Sequence, residues 1–219
     1  MASPITHIIF ALNVFSLLPA TIDKAAFIVG TSFPDIRHKA GISKESTHIE
    51  PISWRDIITC TSSFKAGMLF HSLVDIVRIK HFEHYFYDRY SPEHYAPLYF
   101  ALYPLVLKFA EDALLYDYVQ DWHEIINYFD VIYDEELALC SDKNCIKEWH
   151  SALQSYFKQK PTFESITKFL AHTGGKMDVW LSGDLFDANK TFTDLIHNFF
   201  VHEKLKEFYS TFTIIIDEV

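Results

Sequence analysis

The sequence predicts an all-α fold from three observations. Only 6 Gly and 8 Pro punctuate 219 residues, whereas a β-sandwich needs turn residues about every 8–12 positions. Helix-capping Ser and Asp residues recur at helical intervals, some followed by Pro or Glu in the first turn. Hydrophobic residues make up 49% of the chain, with 20 Phe and 12 Tyr. That is enough for a sizeable core, and the expected organisation is one multi-helix domain over residues 1–219.

The elements follow in order. Ser3-Pro4 reads as N-cap and first helical residue of a helix ending before Pro19. Its apolar run, residues 8–18, has no Lys or Arg before it and no A-x-A site after it, and is too short to span a bilayer. A buried first helix is expected there, with no signal peptide and no transmembrane segment. A second helix runs from about Ile22 to Gly30, read as its stop. Residues 31–52, with Pro34, Gly41 and Pro51 and little apolar periodicity, read as an ordered loop. Ser62 or Ser63 starts a long helix reaching about His81. Ser91-Pro92-Glu93 starts the next, kinked at Pro104 and ending near Tyr118. Asp121 and Glu124 have capping-box spacing for a helix to about Leu139. Further helices are expected over 143–158, 163–172 and 188–211, with a break at Gly174-Gly175.

The formal charge of −10 repels nucleic-acid backbones and anionic bilayers, so no nucleic-acid partner is expected. Cys60, Cys140 and Cys145 show no CxxC spacing and cannot all pair. A reducing compartment, hence a cytoplasmic location, is the simpler expectation.

Seven of the 12 histidines lie in the first 94 residues. The sharpest local pattern is His71-x3-Asp75, whose spacing puts both side chains on one helix face, with Cβ atoms about 5–6 Å apart. Ordinary helical ion pairing uses the same spacing. Phe33-Pro34-Asp35-Ile36-Arg37-His38 puts an acid and two basic groups on a proline-stiffened turn, and Thr47-His48 follows in the same loop. His7 sits in an otherwise apolar helix. Singly, Asp35 reads as a turn cap, His7 as a hydrogen-bonded core histidine and His48 as an exposed one. Their joint presence with His71 and Asp75 points to metal binding, because neutral imidazoles and carboxylates suit Zn²⁺ and also Mn²⁺ or Fe²⁺.

The ordered set His7, Gly30-x3-Pro34-Asp35, Thr47-His48 and His71-x3-Asp75-x5-His81 resembles the bacterial zinc-dependent phospholipase C family, which is related to single-strand-specific zinc nucleases. The resemblance spans about residues 3–82. It implies an all-α fold of that type, one or two zinc ions, and His7, Asp35, His48, His71, Asp75 and His81 as ligands. It also implies that Asp35 bridges two ions and serves as general base, with metal acidifying the attacking water. Arg37 is then placed to steady phosphoryl charge, or else salt-bridges a nearby acid. The substrate class implied is a phospholipid headgroup or a small phosphoester. The chain departs from the family in two places. The family's N-terminal tryptophan ligand has no counterpart before Trp54, and the acid expected four residues after His94 is Leu98. Glu111 and Asp112 are the next acids on that helix, as substitute ligands, supporting groups or a solvated face.

The leading expectation is therefore a metal-dependent phosphoester hydrolase, with its metal-bearing half over about 1–118 and a helical half of unassigned role over about 119–219. The alternative is a non-catalytic helical protein whose degraded or single structural metal site acts through a partner. A phosphohydrolase of the His-Asp doublet type is disfavoured, because no adjacent His-Asp pair exists.

Overall fold

A computed structural model describes residues 3–80, 97–174 and 188–216. All regular structure in them is helical, without a strand. The first half holds α1 (Pro4–Val14), α2 (Lys24–Ser32), the one-turn helices α3 (Arg37–Ala40) and α4 (Lys44–Thr47), then α5 (Trp54–Ile58) and α6 (Ser63–Arg78). After these come α7 (Pro97–Leu115), α8 (Trp122–Tyr128), α9 (Asp134–Leu139), α10 (Lys143–Phe157), α11 (Phe163–His172), α12 (Ala188–Ile196) and α13 (Phe199–Ile215). No helix among the described residues is long and apolar enough to cross a membrane.

Several helices begin at side-chain caps, of which Ser62 is expected from the sequence. Asp23 accepts from Ala26 N at 2.8 Å, Ser62 from Lys65 N at 3.1 Å and Thr162 from Ser165 N at 3.2 Å, each satisfying an amide that lacks an intrahelical partner. Buried apolar side chains form one continuous cluster from Ile5 to Ile216. At its centre α6 lies against α2, and α1 against both. The last helix closes on the first through Phe10 and Phe212, with ring centroids 4.2 Å apart.

Four boundaries differ from the sequence expectation. Gly30 does not stop α2; it lies inside the helix, which runs on to Ser32. A Cβ at Gly30 would fall 2.1 Å from the Phe64 carbonyl oxygen, so this glycine serves close helix contact rather than termination. Residues 31–52 are not plain loop, because a 3-10 turn at Pro34–Ile36 and helices α3 and α4 lie within them. The helix expected over 121–139 is two. Glu124 turns to Lys24 and Tyr128 instead of closing a box on Asp121, and Tyr133 with Glu136 starts a fresh capping box. The one expected over 188–211 is also two, with the Asn198 side chain accepting from Val201 N at 3.3 Å to start the second. The start at Ser91-Pro92-Glu93, together with His81 and His94, lies outside the described residues. Pro104 stands inside α7 as expected.

Candidate metal centre

Five of the six expected ligands come together, from four chain segments. His7 projects from the second turn of α1, Asp35 from the 3-10 turn after α2, His48 from the end of α4, and His71 with Asp75 from α6. One donor atom each from His7, His71 and Asp75 lie within 4.8 Å of one another, and so do donors from Asp35, His48 and His71. The two triads share His71. The His7 ring stacks on that of His71, centroids 3.8 Å apart and 13° from parallel.

The lone pairs are aimed by groups that are themselves fixed. His71 Nδ1 donates to the Thr31 carbonyl at 2.8 Å, so its Nε2 carries the lone pair and faces the cluster. The Thr47 hydroxyl donates to Lys44 O at 3.3 Å and so accepts from His48 Nδ1 at 2.9 Å, which again bares Nε2. Ile49 N donates to Ser72 Oγ at 3.1 Å, tying the His48 loop to α6 beside His71. The two bared nitrogens lie 3.2 Å apart. Two lone pairs facing each other so closely repel unless a cation sits between them. Nitrogens about 2.0–2.1 Å from one tetrahedral ion stand roughly 3.3 Å apart.

Asp75 faces all three rings, at 3.4 Å from His7 Nε2 and 3.7 Å from both His48 Nε2 and His71 Nε2. Neither nitrogen of His7 makes a hydrogen bond, although the residue is 1% exposed. An unmade hydrogen bond in the interior costs about 1–3 kcal/mol, and an ion bound at Nε2, the nitrogen 3.4 Å from Asp75 Oδ1, would remove that cost for one of the two nitrogens. The donor set and the bare His7 nitrogens therefore fit a divalent metal of the zinc, manganese or iron type.

Titration follows from burial. Burial, then the charge of His71, lowers His7 to about 4, and the same two causes lower His48 to about 4. Burial pushes Asp75 up, but the His7 contact and the charge of His71 outweigh it and hold the carboxyl well below 3.8. Asp35, half-buried, is likewise pushed up by burial and held below 3.8 by His71 and then Lys108. At neutral pH Asp35 and Asp75 are thus carboxylates and His7 and His48 neutral imidazoles, the forms that bind metal.

Metal-free protein should accordingly lose stability in acid. A histidine whose pKa falls on folding contributes stability that is full above 6.5 and is lost as pH drops from 6.5 towards about 4. His7 alone accounts for roughly 3 kcal/mol over that window, and His48 acts in the same direction. Asp112, raised to about 6 by burial, acts oppositely, because its folded state holds the proton more tightly between 3.8 and 6. Two histidines against one carboxyl leave a net loss. The urea midpoint in chelator should fall between pH 6.5 and 4.5, and a rising midpoint would contradict the arrangement.

The acids weighed as substitute ligands have other work. Glu111 forms a buried ion pair with Arg78, whose Nε donates to Oε2 at 2.8 Å, binding α7 to α6. Asp112 takes the amides of Ile5 at 3.3 Å and Thr6 at 2.7 Å, the hydroxyls of Ser3 and Thr6, and the Tyr156 hydroxyl at 3.0 Å. This carboxylate caps α1 from another helix and sets the register of His7, one residue beyond Thr6. Arg37 opens α3, and its charge is felt at His48. The parts played by Thr31 and Lys108 escape a reading of the sequence. A backbone carbonyl such as Thr31 O leaves no residue signature, and a lysine that acts on Asp35 only through its charge has no spacing that links the two.

Among family models, curated proteins and solved structures, none matches this chain. Function therefore rests on the site itself.

Proposed function

We propose that this chain is a metal-dependent phosphoester hydrolase of the zinc-dependent phospholipase C type. The observation that carries the reading is the convergence of His7, Asp35, His48, His71 and Asp75 as two donor triads sharing His71. His71 has one free lone pair, on Nε2, so it would serve a single ion with His7 and Asp75, while Asp35 and His48 would complete that ion's ligands or hold a second ion without it. When bound, the metal polarises the phosphoryl group and makes hydroxide accessible near neutral pH.

The chain's own groups supply the rest. Asp35 is the general base, ionised at neutral pH and grouped with the donors of His48 and His71. Arg37 steadies charge on the phosphoryl oxygens. Beside His48 lies a cavity of about 350 Å³ whose wall carries Lys44 as well as Glu45 and Glu50. Mixed charge beside His48 on a chain of net −10 suits a zwitterionic headgroup or a small phosphoester better than a polyanion.

One observation favours the second reading, a structural metal without catalysis: His7 and His71 are each 1% exposed and Asp75 5%. The two readings share a first test. His71→Ala should strip most metal, by atomic absorption on untagged protein, yet leave a folded helical domain, because α6 keeps its apolar face. A variant retaining its full metal load would remove His71 from the ligand set.

A further inference from the structure

We propose that the groove between α10 and α11 is a binding site for a small organic anion with an aromatic portion, separate from the His/Asp cluster. The groove has a volume of about 540 Å³, within the range of about 300–1,000 Å³ typical of small-molecule sites.

Charge is the first argument. Lys39, Lys147 and Lys168 line the groove against a single acid, Glu148, a cationic lining on a chain of net −10. These ammoniums differ in availability. Lys39 is tied to Glu148 at 2.8 Å and donates to His172 O at 3.1 Å, pinning α3 across one end. Lys168 meets only Glu164, an exposed pair of small worth that a ligand can displace at little cost. Lys147 has no partner among the described residues.

Patterning is the second. Ser151, Ser155 and Gln159 follow Lys147 at four-residue spacing along one face of α10 and its end. None of these three side chains is committed to another described residue, so one wall is a row of polar groups ready to bond. The floor is different. Ala152, Tyr156 and Phe169 are buried, and the two rings stack at 4.6 Å and 26°. The Tyr156 hydroxyl is already spent on Asp112, leaving the groove its ring alone. An apolar floor beneath a cationic, hydroxyl-rich rim matches an apolar ring bearing a phosphate, sulfonate or carboxylate.

Titration of the intact protein with 8-anilinonaphthalene-1-sulfonate, followed by fluorescence and amide chemical shifts, tests this. Saturable binding should weaken as salt rises, with shifts grouped over residues 147–172. The double substitution Lys147→Ala/Lys168→Ala should weaken binding about 5–30-fold, since both lysines are exposed and their loss costs little fold stability. Chelator and His71→Ala should leave it unchanged, whether or not the protein hydrolyses phosphoesters. Equal affinity in the double variant, shifts outside the groove, or binding lost with His71→Ala would each overturn the assignment.

Discussion

Replacing Asp35 by Asn should lower hydrolysis of a phosphodiester or choline phospholipid analogue by about 10²–10⁴-fold, the usual effect of losing a general base. The substitution nearly preserves shape and removes one negative charge. An amide oxygen accepts no proton near neutral pH and is a poorer donor to a cation. Metal content should fall much less than activity, because His7, His48, His71 and Asp75 all remain within the cluster. Arg37→Ala should cost about 10²–10³-fold, by analogy with losing one donor to a developing oxyanion, with metal content unchanged. Rates and metal stoichiometry measured on the same preparations separate the two roles. A well-folded, metal-replete wild type that cleaves nothing across a broad panel of phosphate esters would instead support the structural-metal reading.

Much of this site was legible because its chemistry is carried by side-chain type and short spacing. His71 and Asp75 declare a shared helix face, and Pro34-Asp35 declares a turn. The helical class was legible for a similar reason, since caps and sparse Gly/Pro are local signals. What was illegible depends on contacts between distant segments. Gly30 has the local signature of a helix stop and acts as a crossing point with Phe64. Asp112 has the local look of a surface acid near Lys108 and turns out to cap α1, more than a hundred residues away. Glu124 has capping-box spacing from Asp121 but spends its carboxylate on Lys24. In each case a tertiary partner overrides a correct reading of the local pattern.

Gly67→Ala should destabilise the fold strongly for the addition of one methyl group, and should weaken metal binding with it. A Cβ at Gly67 would lie 2.1 Å from Phe27 O, 2.7 Å from Thr31 N and 2.9 Å from Gly30 C. All three are backbone atoms of α2, so no side chain can rotate away, and α2 and α6 must separate. Overpacking of this kind costs about 1–3 kcal/mol and occasionally more, and a clash with rigid helix backbone belongs at the upper end. For a domain of this size, about 3 kcal/mol lowers Tm by roughly 6–12 °C. The same separation draws Thr31 O away from His71 Nδ1, now 2.8 Å apart, and frees the ring that both triads share. Losing such an orienting bond typically costs about 10–100-fold in metal affinity. Gly41→Ala is the control. Gly41 has φ +65° with nothing within 4 Å of its Cβ position, so it should cost only the left-handed backbone penalty, about 1–2 kcal/mol, and leave metal affinity intact. Thermal melts and metal titrations of both variants decide the matter: if Gly67→Ala melts like Gly41→Ala and binds metal as wild type does, the close crossing of α2 and α6 is not what holds the centre together.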